Sequence, residues 1–374
     1  MAFRRTKSRE MPEEGYAHQS SILDNDRKRR SGKVAPVVIA LAVVVCFALL
    51  SVVAVWMARV DHSLSLGSEG GALTATLSTP DESSESKAFY VLLVGSDARE
   101  DETRGRGDAL ILARIDPSEA LITLVSVPRD TIVNIAGAEG PQKINATYIY
   151  GGPSTAVYEL SRFCGVPISH YVEVDFDGLE DVVDRLGGIT VDVPEAVTFE
   201  QSGGGVLEAG QQRLDGATAL AYARERYGAS GGDFARARAQ RLIVKAIISQ
   251  ILQASPVEMP SLVGSLSECV KTDYTVAEAL PLVMKFRGRD YTVYSTVCPS
   301  YSFEVDGVSY DGTMFADWRD MMKRVDAGLD PNDLSVPIPE PQASNEKLGE
   351  AANSAAPQDY GELVTQNLNT VGLQ

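Results

Sequence analysis

Two consecutive apolar segments constrain the fold of this 374-residue chain more than any other feature. They read ALILARI and ALITLVSV, and the sequence DPSE (116–119) separates them. Short runs that are almost wholly apolar are typical of buried strands, and an Asp-Pro pair favours a turn. The sequence therefore predicts a β-hairpin whose register places Arg106 and Asp108 beside Arg129 and Asp130.

Strands and helices alternate from residue 88 to residue 328, which predicts a single α/β domain with a mixed sheet. Besides the hairpin, the predicted strands are FYVLLV (89–94), HYVEVDF (170–176) and ITVDV (189–193). The predicted helices are TAVYELSRF (155–163), LEDVVDRL (179–186), GATALAYARERY (216–227), the segment 233–252, and DWRDMMKRVDAG (317–328), which Gly328 ends.

An uncharged segment of 25 residues (34–58) precedes this domain. It is long enough to cross a bilayer, and basic residues are concentrated immediately before it. We predict one transmembrane signal anchor in the cell membrane, with residues 1–33 as a basic cytoplasmic tail and the C-terminal domain extracytoplasmic. A cleaved signal peptide is the alternative, although its apolar core is usually only about 7–15 residues long.

Two segments outside the domain have compositions typical of unstructured chain. Residues 59–87 are rich in Ser, Gly and Thr, which predicts a flexible stalk. Residues 329–374 are rich in Pro, Ala, Asn and Gln, which predicts a disordered tail. The folded domain is therefore predicted to occupy residues 88–328.

Charge and cysteine content limit the possible partners. Residues 1–33 contain nine Lys/Arg and five Asp/Glu, so the rest of this chain of net charge −17 carries −21, which argues against nucleic-acid binding.

Cys164, Cys269 and Cys298 lie beyond the predicted span, in what would be an oxidising compartment. Three thiols allow one internal disulfide. We predict that Cys269 pairs with Cys298, and the other pairings stay open.

Three Arg/Asp pairs lie at the ends of the predicted strands. FYVLLV is followed by GSDAR, so Asp97 and Arg99 join the two pairs at the ends of the hairpin. Ligand sites in open α/β sheets lie beyond the carboxyl ends of strands, and all three pairs meet there if FYVLLV runs parallel to ALITLVSV. Paired carboxylates suit Mg²⁺ or Mn²⁺, and several guanidinium groups suit a phosphate or pyrophosphate. Ordinary solvated loop charges are the alternative.

The segment LDGATALAYARER predicts an inward-facing arginine. Ala217, Leu220, Ala221 and Arg224 share one helical face, so Arg224 continues an apolar stripe and needs an anion. Arg226 follows two residues later. A buried structural ion pair is the alternative role for Arg224.

The next helix is predicted to begin at Asp233, a good N-cap residue. Arg236 and Gln240 then share one face with Ile243 and Ile247. A face that changes from guanidinium to aliphatic suits an amphiphile with a charged head. A core stripe with solvated ends is the alternative.

Seven motifs in register resemble the LytR-CpsA-Psr family over residues 88–305. They are VLLVGSDAR, the RGD that opens a strand, VSVPRDT, KINATYIYGG, VDRLGGITVDV, LDGATALAYARER and DFARARAQ. The resemblance implies an α/β/α sandwich with a central mixed sheet, an apolar lipid-binding tunnel and one preceding transmembrane helix. It also implies a phosphotransferase that moves a glycopolymer, such as teichoic acid, from a polyprenyl pyrophosphate carrier to peptidoglycan and releases polyprenyl phosphate. A pyrophosphatase side activity is part of this expectation.

The resemblance also implies the residue roles. The metal ligands for Mg²⁺ or Mn²⁺ are Asp97 and Asp108. The predicted catalytic residues are Arg106, Arg129 and Asp130, although the motif position of Asp130 has a less sharply defined role. The chemistry of the reaction, not the resemblance, suggests Asp130 or another nearby carboxylate as the proton acceptor. The pyrophosphate-binding residues are Arg99, Arg106, Arg129, Lys143, Arg224, Arg226, Arg236 and Gln240. Asp233 matches a motif position without a defined role.

One departure from the family pattern concerns the last motif. The family commonly has Arg followed by Gln, whereas this chain has Ala239 and Gln240, with Arg238 and Arg241 nearby. One phosphate contact is therefore expected to be absent or rerouted.

Two other functions fit parts of the sequence. The first is a sensor or cell-envelope regulator that binds polyprenyl phosphates without turnover, although the short N-terminal segment has no helix-turn-helix pattern. The second is an adhesin that uses the tripeptide Arg106-Gly107-Asp108, which would require an exposed, metal-free loop. With only three His in the chain, histidine base chemistry is not expected.

Overall fold

The computed structural model describes residues 51–80, 87–96, 107–200, 204–229, 231–305 and 307–344, together with Leu348. The chain divides into two compact units, Met1–Ala58 and Arg59–Gln374. Most of the predicted membrane span, residues 34–50, lies outside the described residues, and residues 51–58 are helical. Within the part that the structure describes, no helix combines the length and the apolar character needed to cross a membrane.

The elements are numbered in chain order. The strands are β1 (Phe89–Ser96), β2 (Gly107–Asp116), β3 (Leu121–Val127), β4 (Ile132–Val133), β5 (Gln142–Lys143), β6 (Ile168–Asp175), β7 (Ile189–Val193), β8 (Val197–Thr198), β9 (Val206–Leu207), β10 (Gly210–Leu214), β11 (Lys271–Thr272), β12 (Thr292–Val297), β13 (Ser300–Val305) and β14 (Val308–Thr313). The helices are α1 (51–64), α2 (Gly70–Thr76), α3 (Thr147–Cys164), α4 (Phe176–Arg185), α5 (Gly216–Arg224), α6 (Asp233–Gln253), α7 (Met259–Leu266), α8 (Val276–Phe286), α9 (Phe315–Asp326) and α10 (Glu340–Ala343).

A six-stranded mixed sheet forms the centre of the second unit, in the order β11-β6-β1-β2-β3-β12. β1 is parallel to β6 and β3 is parallel to β12, whereas β2 runs antiparallel to both of its neighbours. β1 and β3 therefore run in the same direction and end at the same edge. The predicted α/β fold with a mixed central sheet is confirmed.

The β2–β3 hairpin has the predicted register. Leu110 pairs with Val127 and Asp116 with Leu121. The carboxylate of Asp116 accepts the backbone N–H groups of Ser118 and Glu119 at 3.1 and 3.2 Å, an arrangement typical of an Asx turn. This local turn fixes which residues face each other at the other end of the hairpin.

Helices cover both faces of the sheet. On one face Leu92 of β1 is fully buried in a core that includes Leu160 of α3 and Trp318 of α9. On the other face Val91 packs in a core with Phe286 of α8 and partly buried residues of α6. Alternation of Val91 and Leu92 between two apolar layers explains why the strand sequence is apolar throughout. The apolar tunnel stays a prediction.

The predicted flexible stalk is wrong for residues 59–80. Leu73 of α2 is fully buried in the main core, and the backbone N–H of Ser78 donates to the carbonyl of Ile168 at 2.9 Å. Asp61 accepts the first N–H of α8, from Val276, at 2.8 Å. The composition of this segment is rich in small polar residues, and it gave no indication of these few anchoring contacts. Residues 81–86 lie outside the described residues.

The predicted disorder of the tail is also wrong, for residues 329–344. Arg324 of α9 donates to the carbonyl groups of Asp333 and Val336, at 3.0 and 2.6 Å. Lys323 donates to the carbonyl of Ala343 at 2.9 Å. Because both cations are buried, the tail supplies the acceptors that they need. Residues 349–374 lie outside the described residues.

The predicted pairing of Cys269 with Cys298 is wrong. Cys164, Cys269 and Cys298 are all free thiols. Cys298 lies in the same buried core as Cys164, whereas Cys269 is half-buried and lies 3.8 Å from the carboxylate of Asp181. Spacing along the chain carried no information about these two environments.

A carboxylate caps α5, the helix that precedes the candidate site. Asp215 accepts the N–H of Thr218 at 2.9 Å, and hydrogen bonds from Thr218 lower the pKa of Asp215. We expect Asp215→Ala to lower the free energy of unfolding by about 1 kcal/mol at pH 7. A lowered folded pKa stabilises above the ordinary value of about 3.9, and this stabilisation is lost as the pH falls through the folded pKa.

Denaturant titrations of both proteins at pH 7 and in acid test this expectation. The difference between wild type and Asp215→Ala should shrink in acid. Asp215→Asn is the matched control, because asparagine caps nearly as well and does not titrate. A loss that is equal at all pH values would show that the carboxylate does not act as the cap.

Candidate functional site

The hairpin register brings Asp108 and Arg129 together at the edge where β1 and β3 end. Arg129 donates through Nη1 to Oδ1 of Asp108 at 2.6 Å. This contact confirms the predicted meeting of the two hairpin ends. Gly107 is buried and Asp108 is ion-paired, so these two residues of the RGD tripeptide do not form an exposed adhesion loop.

Arg129 is the most densely paired cation of the site. Its Nε lies 3.9 Å from Asp130 and 4.0 Å from Asp233. Burial opposes its charge, but the attraction of Asp108, Asp130 and Asp233 outweighs burial and raises the pKa of Arg129 above its ordinary value. Nε is itself buried without a hydrogen-bond acceptor among the described residues, so a donor remains for a ligand oxygen.

The carboxylate of Asp233 contacts three guanidinium groups. Its Oδ1 lies 2.6 Å from Nε of Arg226 and 3.3 Å from Nη2 of Arg236, in addition to the contact with Arg129. Asp233 is the first helical residue of α6, and Gly232 occupies the cap position, so the predicted N-cap role is wrong. The carboxylate binds arginine side chains instead of capping the helix.

Arg236 is buried, as its predicted inward face requires. Burial lowers the pKa of Arg236, and the neighbouring cations Arg129 and Arg226 lower it further, while Asp233 acts in the opposite direction. The guanidinium remains charged at neutral pH, because the ordinary pKa of arginine is above 12. A cation held in this way is well suited to an incoming anion.

Glu225, which the sequence did not indicate, holds the loop that carries Arg226. Its buried carboxylate accepts the backbone N–H groups of Arg226, Tyr227 and Gly228 at 3.0, 3.0 and 3.1 Å. Three such bonds fix the turn after α5 and thereby the start of the Arg226 side chain. The alternating charges of ARER gave no sign that the acidic residue points inward.

The inward position predicted for Arg224 is wrong. Arg224 is exposed, and its guanidinium lies over the ring of Phe176 with 4.7 Å to the ring centroid. The buried residues of α5 include Ala219, Tyr222 and Ala223, so the buried face is displaced from the predicted stripe. Arg224 is not among the residues that line the pocket described below, and its role in phosphate binding stays a prediction.

Lys143 and Asp130 form the next ion pair, with 3.0 Å between Nζ and Oδ1. The ammonium group of Lys143 also lies 5.6 Å from the ring centroid of Tyr310. Asp130 is therefore held by a cation on each side, Lys143 and Arg129. Both residues join the site as predicted.

A pocket opens among these charges. It is lined by Asp108, Ala109, Leu110, Ser126, Val127, Pro128, Arg129, Asp233, Phe234, Arg236, Ala237, Gln240 and Asp311. Gln240 lines it as predicted, and its amide donates to the carbonyl of Ala223 at 3.2 Å. Asp311 was missed, because β14 lies far along the chain and only the tertiary fold brings it here.

The region of Ala239 explains the departure in the last motif. Ala239 is buried in an apolar core, and Arg238 points away to Glu195 at 2.5 Å. Arg241 donates to the hydroxyl groups of Ser126 and Ser295 at 2.7 and 2.8 Å. Burial lowers the pKa of Arg241 to about 10. Arg241 therefore brings positive charge behind Ser126 of the pocket wall without entering the pocket.

Three predicted site residues, Asp97, Arg99 and Arg106, lie outside the described residues. Within the described ranges, no group of three or more His, Cys, Asp or Glu side chains forms a metal site. The roles given to the three residues stay predictions.

An α/β domain whose sheet edge carries clustered arginines around an open pocket is typical of domains that bind phosphorylated ligands. Residues 64–324 match the model of the LytR_cpsA_psr family. The chain belongs to this family, and the expectation from its motifs is confirmed.

Two solved structures and one relative illustrate the similarity. The chain is 38% identical to polyisoprenyl-teichoic acid–peptidoglycan teichoic acid transferase TagU of Halalkalibacterium halodurans over 202 residues, 54% of this chain and 66% of that protein. It therefore spans just under two thirds of that relative. The crystal structure of Bacillus subtilis TagV superposes with a TM-score of 0.58 at 31% identity, over 66% of this chain and 99% of that one. The structure of TagT bound to LI-WTA gives 0.57 at 26%, over 71% and 98%.

Proposed function

We propose that this chain transfers a glycopolymer from a polyprenyl pyrophosphate carrier to peptidoglycan and releases polyprenyl phosphate. One observation carries the proposal. Arg129, Arg226 and Arg236 surround one carboxylate, that of Asp233, at the edge of an open pocket. Clustered guanidinium groups match the oxygens of a diphosphate. The relatives are named teichoic acid transferases, which supports the same substrate class for this chain.

The chemistry assigned to these residues is charge stabilisation and positioning. In phosphoryl transfer the protein mainly aligns the attacking and leaving oxygens and neutralises the charge between them. Nε of Arg129 is available to donate to a phosphate oxygen, because it has no acceptor among the described residues. In this proposal Arg226 and Arg236, which both contact Asp233, bind the remaining oxygens. The buried charge of Arg241 adds to the positive potential behind Ser126.

The proposal includes Mg²⁺ or Mn²⁺ at Asp108 and Asp97. The donor chemistry fits, because Asp108 is a carboxylate on the pocket wall and Mg²⁺ is commonly bound by one or two carboxylates together with substrate phosphates. When bound, the metal supplies Lewis-acid stabilisation of phosphate charge. Asp108 then has two duties, since the same carboxylate orients Arg129.

The location is also proposed. The 25 uncharged residues at 34–58 and the basic segment before them support a single-pass anchor with an extracytoplasmic domain. Polyprenyl-linked glycans, peptidoglycan and the cell membrane would then be the partners. No nucleic-acid partner is proposed, because the site is a compact pocket in a chain of net charge −17.

The test uses the purified full chain with a polyprenyl-pyrophosphate-linked glycan and peptidoglycan. We expect glycan to become attached to peptidoglycan and one polyprenyl phosphate to be released for each glycan. A sensor would bind the lipid and release nothing over time. Release of polyprenyl phosphate without attachment would indicate the pyrophosphatase activity alone.

Metal dependence gives a separate prediction. We expect EDTA to stop transfer and added Mg²⁺ or Mn²⁺ to restore it. Metal binding should also raise the Tm of the wild type, because a ligand that binds only the folded state stabilises it. The Asp108→Asn variant should lose most of this Tm increase. An equal increase in both proteins would place the metal elsewhere.

A further inference from the structure

Four carboxylates approach or line the pocket, and three of them are in close ion pairs. The pairs are Asp108 with Arg129 at 2.6 Å, Asp130 with Lys143 at 3.0 Å, and Asp233 with Arg226 at 2.6 Å. Each of these carboxylates is engaged by a cation, so its oxygens are already occupied by a guanidinium or ammonium group. This argues against Asp130 as the base of the reaction.

Asp311 is the fourth carboxylate, and its surroundings differ. It lies on β14, is only 6% exposed and lines the pocket. Its Oδ1 accepts the hydroxyl of Ser302 at 2.7 Å, and its backbone N–H donates to the carbonyl of Asp130 at 2.9 Å. These two bonds fix the strand position and one carboxylate oxygen.

The charges around Asp311 favour its protonated form. Burial raises the pKa of Asp311, the carboxylates of Asp130 and Asp233 raise it further, and Ser302 and Lys143 act in the opposite direction. The thiol of Cys298 also interacts with Asp311, and burial raises the pKa of this thiol to about 12, so it stays neutral. Asp108, Arg129 and Arg236 line the same pocket as Asp311. Asp311 thus binds a proton more readily than an ordinary aspartate does.

We propose that Asp311 accepts the proton of the peptidoglycan hydroxyl during transfer. The inference rests on the proposed function. The hydroxyl oxygen forms a bond to the phosphorus that carries the glycan, and the bond from that phosphorus to the bridging oxygen breaks. The bridging oxygen leaves with the electron pair as part of polyprenyl phosphate. The hydroxyl proton moves to the carboxylate of Asp311 and from there to solvent.

Geometry separates this role from that of the arginines. Asp311 enters the pocket from the β13–β14 hairpin, whereas Arg236 enters from α6 and Arg129 from the end of β3. The pocket therefore receives guanidinium groups from β3 and α6, and the carboxylate of Asp311 from a separate hairpin. A base must lie beside the attacking hydroxyl, away from the leaving oxygen.

The first test compares the full-length wild type with Asp311→Asn. We expect the transfer rate to fall at least about 10²-fold, because a positioned base commonly contributes 10²–10⁴. Binding of inorganic pyrophosphate, measured by calorimetry, should not weaken, since the arginine contacts are intact. Asp311→Glu should recover part of the rate. An Asp311→Asn variant with near wild-type transfer would overturn the assignment.

The second test is the pH profile of kcat/KM, which a purely structural role would not move. The wild type should gain activity as the pH rises through the pKa of Asp311. In Ser302→Ala this rise should move to higher pH, because the Ser302 hydroxyl holds the pKa down. An unshifted profile would contradict the proposal, and this result decides the matter if Asp311→Asn does not fold. A wild type that releases no polyprenyl phosphate at any pH would instead refute the proposed function.

Discussion

Replacement of Arg129 by alanine is expected to lower the rate of glycan transfer about 10³-fold while the protein stays folded. Preorganised donors that stabilise charge in the transition state commonly contribute 10²–10³ in rate. Nε of Arg129 has no hydrogen-bond acceptor in the part of the chain that the structure describes, and Nη1 holds Asp108 in place at 2.6 Å, so the loss of Arg129 removes two functions at once. Release of polyprenyl phosphate measures the rate, and circular dichroism with a Tm measurement checks folding.

Arg238→Ala is the matched control for this variant. Arg238 lies on the same helix as Arg236, but its side chain is 43% exposed and pairs with Glu195 away from the pocket lining. Exposed ion pairs contribute little to stability, so transfer should stay within about twofold of wild type. If both variants retained similar high activity, the arginine cluster would not be the place where phosphate charge is stabilised.

The sequence predicted the part of this site that depends on local structure. β2 and β3 are joined by a turn whose geometry Asp116 sets through its own hydrogen bonds. Once this register is fixed, Asp108 must face Arg129. Hairpin register depends on a few neighbouring residues, so a pattern of apolar runs and turn residues is sufficient to predict it.

The remaining parts depend on packing between distant elements. Asp311 reaches the pocket because Thr131 bridges it and Asp130 accepts its backbone N–H, contacts that join the end of β3 to a late hairpin. For Arg224 the helical pattern was misleading, since LDGATALAYARER has alanine on several faces and alanine marks a buried face only weakly. Because these residues are small, the sequence does not determine how α5 is rotated about its own axis. Contacts with neighbouring helices determine this rotation.

This packing places the cations of the site beside carboxylates of opposite charge. Arg129, Arg226 and Arg236 are held apart by Asp233, and Lys143 is held by Asp130. Like charges this close repel unless opposite charges lie between them. The carboxylates therefore keep the cations in position before any phosphate is bound, which reduces the reorganisation that binding would otherwise require.

The Asp233→Asn variant is expected to separate binding from turnover. Asparagine keeps the size of the side chain and removes the charge that Arg226 and Arg236 share at 2.6 and 3.3 Å. The kcat of transfer should fall about 10²-fold, because misplaced contacts can cost this much. Inorganic pyrophosphate should bind more tightly, since the pocket gains one unit of net positive charge. Steady-state kinetics and calorimetry measure the two effects.

Asp181→Asn controls for the loss of an aspartate ion pair as such. Asp181 is 61% exposed and lies 3.6 Å from Arg185 on the surface of α4, so both kcat and pyrophosphate affinity should stay within about twofold. Opposite changes in the two quantities are specific to a carboxylate that positions cations, because a residue needed only for folding would lower both. Weaker pyrophosphate binding with an unchanged kcat in Asp233→Asn would contradict this role and leave Arg129 as the residue on which catalysis depends.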